Sequence, residues 1–343
     1  MFSLLCCGMM ENMLQDSFLN KKNLQSLSFI DLFAGIGGFH KDLSSFGANC
    51  VFAYEFDSFA AGVYKNNYGM LPAGDITQID EKQIPSHDIL CGGFPCQPFS
   101  ISGKQKGFED TRGTLFFDIA RIISFHNPKI VFLENVANFE QHDNGNTLKK
   151  VRETLEGLGY SVFHQVLNAG RFGIPQNRKR IYILGFHKSL KINYFDFPVS
   201  SYVVSSLEDL LESDRETAMY RVYRDDVVFD TSKEVVPDLY GNYPQCPIRI
   251  GTVGKGGQGE RIYHPKGHAI TLSAYGGGVG AKTGLYLING QIRRLSPREC
   301  ARLMGFPDSF ICDENRNQAY KQFGNGVVID VLQHILNEVE EIL

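Results

Sequence analysis

The sequence predicts an α/β fold: a mostly parallel sheet flanked by helices, with a small β-rich module toward the C-terminal end. Three observations predict it. The first half alternates short apolar runs with helical patterns, a glycine-rich turn follows the first of those runs, and composition changes near Val199. Alternation of strand-like and helix-like segments places helices on both faces of a parallel sheet.

The elements follow in chain order. Phe29 to Phe33 reads as a strand, Phe39 to Phe46 as a helix, Cys50 to Tyr54 as a second strand and Phe59 to Tyr68 as a second helix. A third strand is expected to exit at Gly74-Asp75-Ile76, and further strands are expected at His87 to Cys91, Ile130 to Leu133, Ser161 to Leu167 and Arg180 to Phe186. Beyond Val199 an acidic, poorly patterned stretch leads into a basic segment with twelve of the chain's 35 glycines between Gly251 and Gly290. Its Ser, Thr and aromatic content is too regular for a linker, so it reads as loops on a short β-rich module. Helical pattern returns at Pro297 to Met304 and at Val327 to Val339, where the C-terminus is expected to pack back onto the first domain.

Length and composition bound the function. A chain of 343 residues buries one large core and a second, smaller domain. No run approaches the roughly 18 apolar residues of a membrane span, so no membrane partner is expected. Met1 to Met10 is apolar but lacks a basic n-region, so it is not read as a signal peptide. Eight cysteines at irregular spacing form no CxxC pair, which predicts no metal, no disulfide framework and a reduced, cytoplasmic protein. The net charge is −4, yet between Cys246 and Arg302 nine Lys and Arg face only Glu260 and Glu299. Basic charge concentrated in one segment suits a nucleic-acid face.

Four groups of residues carry chemistry. Gly92-Gly93-Phe94-Pro95-Cys96-Gln97-Pro98-Phe99-Ser100 follows the apolar run Asp88 to Cys91 and presents a thiol where open α/β sheets place their ligands. A lone Cys is ordinarily a small buried hydrophobe. Here Pro95, Gln97 and Pro98 suit a loop, so Cys96 is the candidate nucleophile. Phe33-Ala34-Gly35-Ile36-Gly37-Gly38 lets a ligand approach the backbone at a helix N-terminus, and Glu55, about 20 residues on, suits ribose hydroxyls. A glycine turn with that acid serves a nicotinamide-dependent oxidoreductase equally well. Glu134 and Asn135 close an apolar strand run, and Arg178 and Arg180 alternate, so they are expected on one side of an extended segment. Gly254-Lys255-Gly256-Gly257-Gln258-Gly259-Glu260-Arg261 and Thr271-Leu272-Ser273-Ala274-Tyr275 set polar side chains among glycines that allow close approach to a groove.

Pro-Cys-Gln on such a loop resembles the catalytic loop of the DNA cytosine-5 methyltransferases. Phe29 to Phe39, Glu134-Asn135-Val136, Gln176-Asn177-Arg178-Lys179-Arg180 and Gln322-Phe323-Gly324-Asn325 resemble further signatures of that family, in its order. The resemblance runs from about Phe29 to the C-terminus and is weakest between about Val199 and Cys246. It implies a Rossmann-like, S-adenosylmethionine-dependent methyltransferase. The chain is expected to divide into an N-terminal extension over 1–28 that is disordered or a misassigned start, a catalytic and cofactor-binding domain over 29–208, a target-recognition domain over 209–296, a hinge over 297–324, and a C-terminal helix over 325–343 that returns to the catalytic domain.

The resemblance also implies roles. Cys96 attacks C6 of cytosine, Glu134 supplies a proton or hydrogen bond at N3, Asn135 joins it in the motif, and Arg178 and Arg180 hold the base's O2 and a flanking phosphate. Phe33, Gly35, Gly37, Glu55, Phe56, Asp75, Ile76, Pro95, Leu115, Asn325 and Gly326 belong to the cofactor site. Phe56 stands where the family commonly has Trp, and Gly326 where it commonly has Ser. The basic segment closely resembles the target-recognition region of a family member that methylates the inner cytosine of GCGC. That likeness implies that Gln258 and Ser102 fill the space left by a flipped base, while Glu260, Arg261, Thr271 and Tyr275 face DNA. The implied partners are duplex DNA and a cognate restriction endonuclease, with the protein a monomer. A tRNA cytosine-5 methyltransferase on the same core is the alternative, disfavoured by the basic Gly-rich module.

Overall fold

The computed structural model describes residues 24–95, 115–200, 204–232 and 235–343, so Cys96 and Ser102 lie outside the described residues. Its main sheet has six strands: β1 (Ser28–Leu32), β2 (Asn49–Tyr54), β3 (Ile89–Gly93), β4 (Ile130–Val136), β5 (Tyr160–Asn168) and β7 (Lys179–His187). Their order is β2-β1-β3-β4-β7-β5, and β7 alone runs antiparallel to its neighbours. A two-residue strand, β6 (Gln176–Asn177), precedes β7 outside this sheet.

Helices cover both faces, as side-chain alternation along the strands dictates. Phe29, Cys91 and Phe132 point to one face and pack with α1 (Gly38–Ser45) and the C-terminal helices. Ile30, Leu90 and Val131, one residue on or back, point to the other and pack with α3 (Leu115–His126) and α4 (Asn146–Gly157). Between them in sequence, α2 (Ser58–Tyr68) is capped by Asp57, whose carboxylate accepts from the backbone N–H of Phe59 and Ala60. The fold takes in residues ahead of β1, because Leu24 and Leu27 are buried in the first of these cores.

Gly74-Asp75-Ile76 does not follow a third strand. A single parallel bridge, Tyr54 to Ala73, lies at the β2 edge, and Asp75 then caps a 3-10 turn by accepting from Thr77. A chain that touches a sheet edge at one residue shows no period-two pattern to read.

A second sheet of five strands has the order β13 (Gln291–Arg293), β12 (Leu285–Ile288), β10 (Arg261–His264), β9 (Ile248–Val253), β8 (Val227–Phe229). Ile250, Val253, Ile262 and Leu285 form its own small core. The two lobes are stitched by β11 (Ala269–Ile270), which pairs in parallel with β6. Three helices then return to the main sheet: α5 (Pro297–Arg302), α6 (Arg316–Asn325) and α7 (Ile329–Ile342). In α7 the buried positions Ile329, Leu332, Leu336 and Val339 make one apolar stripe, and it packs with α1. Among the described residues no helix is long and apolar enough to cross a membrane.

Candidate active site

A cavity of about 430 Å³ opens at the C-terminal ends of β1, β3 and β4, where the second lobe meets the first. Each strand contributes the residues that follow it. Phe33 and Gly35 come from the turn after β1, Glu55 and Asp57 from the exit of β2, Gly93 to Pro95 from β3, and Glu134 to Val136 from the end of β4. Arg180 on β7, Tyr275, and Lys321, Gln322, Gly324 and Asn325 on α6 complete the wall. A wider hollow of about 690 Å³ lies on the outer sheet among Val222, Tyr223 and Ile292, but it holds none of the motif residues.

The turn after β1 is held open by strained backbone. Phe33 and Gly35 both have φ near +55, and the Phe33 ring is braced edge-on against Tyr54 at 5.2 Å. Gly35 N–H donates to Glu55 Oε2 at 2.7 Å, and Asp57 N–H donates to Oε1 at 2.7 Å. Burial pushes the Glu55 carboxyl up while these two amides oppose the shift. A carboxylate oxygen can accept more than one hydrogen bond, so Glu55, which lines the cavity, keeps acceptor capacity.

Gly37 does not serve this cavity. Its N–H is bonded to Ala34 O, and a Cβ at its φ of +85 would lie 2.2 Å from the Tyr68 ring, whose hydroxyl donates to Gly37 O. Tyr68 packing, rather than a ligand, requires this glycine. Gly37→Ala is expected to destabilise the fold by about 2–5 kcal/mol through backbone strain and overpacking. Urea unfolding measures this, and an unchanged midpoint would refute the geometry of the turn.

Glu134 is almost fully buried. Arg180 Nε lies 2.9 Å from its Oε1 as an ion pair, but without hydrogen-bond alignment, so among the described residues that oxygen has no hydrogen-bond partner. Burial raises the Glu134 carboxyl above its ordinary range, opposed by the charges of Arg180 and Arg178. Asn135 Nδ2 donates to Phe94 O at 2.8 Å and fixes the backbone that leads into Pro95. It is a positioning residue.

Arg178 corrects the sequence reading. It is fully buried and does not line the cavity: Nη1 donates to Leu272 O at 3.0 Å, and Nη2 donates to Gly324 O at 2.9 Å and Gly326 O at 2.6 Å. Burial lowers its proton affinity, yet three carbonyl acceptors keep the guanidinium charged. Alternation along the chain did not put both arginines into one cavity, because long-range carbonyls captured the first. Gly326 likewise supplies its carbonyl to Arg178, and among the described residues Phe56, Asp75, Ile76 and Leu115 stand outside the wall of this cavity. Phe56 is 74% exposed and Ile76 is fully buried.

On the second lobe, Gln258 and Tyr275 are exposed, and Arg261 is half-buried. Glu260 is half-buried, and its Oε2 accepts from Gly257 N–H at 2.9 Å, so it braces its own loop. Thr271 Oγ1 donates to Asn177 O, across the seam between the lobes. A Cβ on Gly259 would lie 2.1 Å from Gly277 O, and Gly280 N–H donates to Gly259 O at 2.7 Å. The two glycine-rich loops are thus in backbone contact.

Sequence reasoning missed Asp57, Lys321 and Gln322, which line the same cavity. Lys321 stands four residues before Asn325 on a helix, a spacing that places both on one face and was the available signal. Among the described residues no three His, Cys, Asp or Glu side chains form a metal-binding group.

Comparison with known proteins reaches most of the chain. The family model described as C-5 cytosine-specific DNA methylase matches residues 27–341. Type II methyltransferase M.HhaI of Haemophilus parahaemolyticus is 56% identical over 317 residues, covering 92% of this chain and 95% of the relative. Type II methyltransferase M.HpaII of Haemophilus parainfluenzae is 42% identical over 330 residues, covering 90% of this chain and 88% of the relative. Among solved structures, the S. pombe Dnmt2 methyltransferase superposes with a TM-score of 0.67 at 22% identity, covering 92% of this chain and 98% of that one, a likeness of fold.

Proposed function

The chain belongs to the C-5 cytosine-specific DNA methylases, and from that premise we propose that it methylates C5 of a cytosine flipped from duplex GCGC sites, drawing the methyl group from S-adenosylmethionine. The observation that carries this reading is a single cavity shared by two kinds of wall. On one side lie a glycine turn, Glu55 and Asn325; on the other lies Glu134, buried and paired through Oε1 with Arg180, next to the backbone that leads to Cys96.

Cytosine C5 is a weak nucleophile. Addition of the Cys96 thiolate at C6 breaks the ring's aromaticity and makes C5 enamine-like. Negative charge then develops toward N3, where the raised carboxyl of Glu134 is suited to donate a proton, and Arg180 is suited to the adjacent O2. S-adenosylmethionine, when bound, supplies the electrophilic methyl group. The residues present fit it: the open turn at Phe33 and Gly35 admits a ligand to the backbone, Glu55 keeps lone pairs for ribose hydroxyls, and Asn325 faces them from α6. After transfer, loss of the C5 proton and expulsion of the Cys96 sulfur restore the ring and free the enzyme.

A stacked cytosine does not expose C6, so the base leaves the duplex at a cost of a few kcal/mol. Exposed Gln258, on a loop whose basic flanks suit phosphates, is proposed to occupy the vacated space together with Ser102. The likeness to M.HhaI supports GCGC as the site and a restriction endonuclease as the functional partner.

The test uses a duplex with 5-fluorocytosine at the inner position of GCGC. Fluorine cannot leave as a proton does, so incubation with S-adenosylmethionine should give a denaturation-stable adduct at Cys96. A tRNA carrying the same analogue should give none. Adduct on tRNA alone would replace duplex DNA as substrate, and no adduct on either would remove the covalent mechanism.

A further inference from the structure

Lys321 and Asp57 form an ion pair in the wall of the cofactor cavity that no step of the proposed chemistry uses. Lys321 Nζ donates to Asp57 Oδ2 at 2.6 Å, a contact between residues 264 apart in sequence that joins the N-terminus of α2 to α6. Both side chains are partly open to solvent, at 33% and 26%. The bond ends a continuous chain around the cavity. Gly35 donates to Glu55, Glu55 accepts from Asp57, and Asp57 accepts from Lys321, which shares a helix face with Asn325.

Neither helix requires this bond for its placement. Ala60, Val63 and Tyr64 anchor α2 in the core, and Ala319, Tyr320 and Phe323 anchor α6. An ion pair this exposed contributes little to folding. Partial burial works against ionisation of Asp57, but the Lys321 contact and the backbone N–H groups of Ala60 and Phe59 together hold the carboxyl below its ordinary range. The pair is therefore charged at neutral pH.

We propose that Lys321 and Asp57 are a clasp on the solvent side of the cofactor cavity, which opens to admit the methyl donor and closes to retain it. The inference rests on the cofactor reading above and deepens it. Closed, the two side chains bridge from α6 to the wall that carries Glu55 and bar the cavity mouth, while the helices stay where their buried faces and Arg178 hold them. Lys321 is thus a positioning residue whose effect falls on cofactor exchange.

S-adenosylhomocysteine is the probe, with affinity read by calorimetry and release by a chase with labelled ligand. Lys321→Met keeps the apolar stem, and Asp57→Asn keeps the helix cap. Each is expected to raise Kd about tenfold, mainly through faster release. The double variant should be no weaker than either single one, and Lys321→Arg should restore retention. Melting temperatures without ligand should be nearly unchanged. Release at the unaltered rate from Lys321→Met would overturn the clasp while leaving the cofactor reading intact, and so would lowered melting with unaltered release. Failure of the unaltered chain to bind S-adenosylhomocysteine would remove both.

Discussion

Glu134→Gln is expected to lower kcat for methyl transfer by about 10²–10⁴-fold, the range of a lost general acid, with little change in folding stability. Glutamine preserves the shape and can still hydrogen-bond N3, but it cannot deliver a proton as charge develops on the ring. The pH dependence supplies a second readout. Burial is the foremost influence on Glu134 and raises its carboxyl, with Arg180 and Arg178 opposing, so the acid form persists above the usual carboxylate range. A group that must be protonated to act is lost as pH rises through its folded-state value. In the unaltered enzyme kcat should therefore decline on the alkaline side, and Glu134→Gln should lack that limb. Single-turnover rates across the neutral and alkaline range measure both effects. Equal rates with identical profiles would mean that Glu134 transfers no proton.

Arg178→Met should cost about 3–5 kcal/mol of folding stability, the range for breaking a buried charged network. The variant leaves Leu272 O, Gly324 O and Gly326 O without their donor in a site closed to water. Those carbonyls come from the second lobe and from the end of α6, so the seam beside β6 and β11 should loosen as well. Cofactor affinity should fall along with stability, because Asn325 lies between two of the released carbonyls. Lysine presents its three donors from one nitrogen and cannot span acceptors that Arg178 reaches from two, so Arg178→Lys should recover only part of the loss. Denaturant unfolding tests the claim, and a midpoint equal to that of the unaltered chain would show that the guanidinium does not hold the lobes together.

Much of the site was legible because it is local. The run Ile130 to Leu133 announced a strand buried on both faces, and the polar Glu134-Asn135 that follows fell at its C-terminal end, where the cavity lies. The glycine turn and Glu55 were legible for the same reason, since one strand and one turn set their distance. What failed depends on partners far along the chain. Arg178 and Arg180 share one alternation, and only carbonyls 94 to 148 residues away separate a clamp from a cavity residue. Gly37 looked like a ligand glycine until Tyr68, 31 residues on, took its space. Glu260 has a role that the sequence did not show: its carboxylate also accepts from Gly257 within the local turn. Fold class follows from periodicity, whereas the destination of a long polar side chain is decided by tertiary neighbours that periodicity does not encode.

The close approach of Gly259 to Gly277 carries a consequence for how such a protein changes what it reads. With no room for a side chain between the two loops, neither can be rebuilt, lengthened or reshaped without displacing the other. The two loops pack as one head, and under the proposed function a change of preferred sequence is expected from substitutions at its exposed tips, such as Gln258, with the glycine frame left in place.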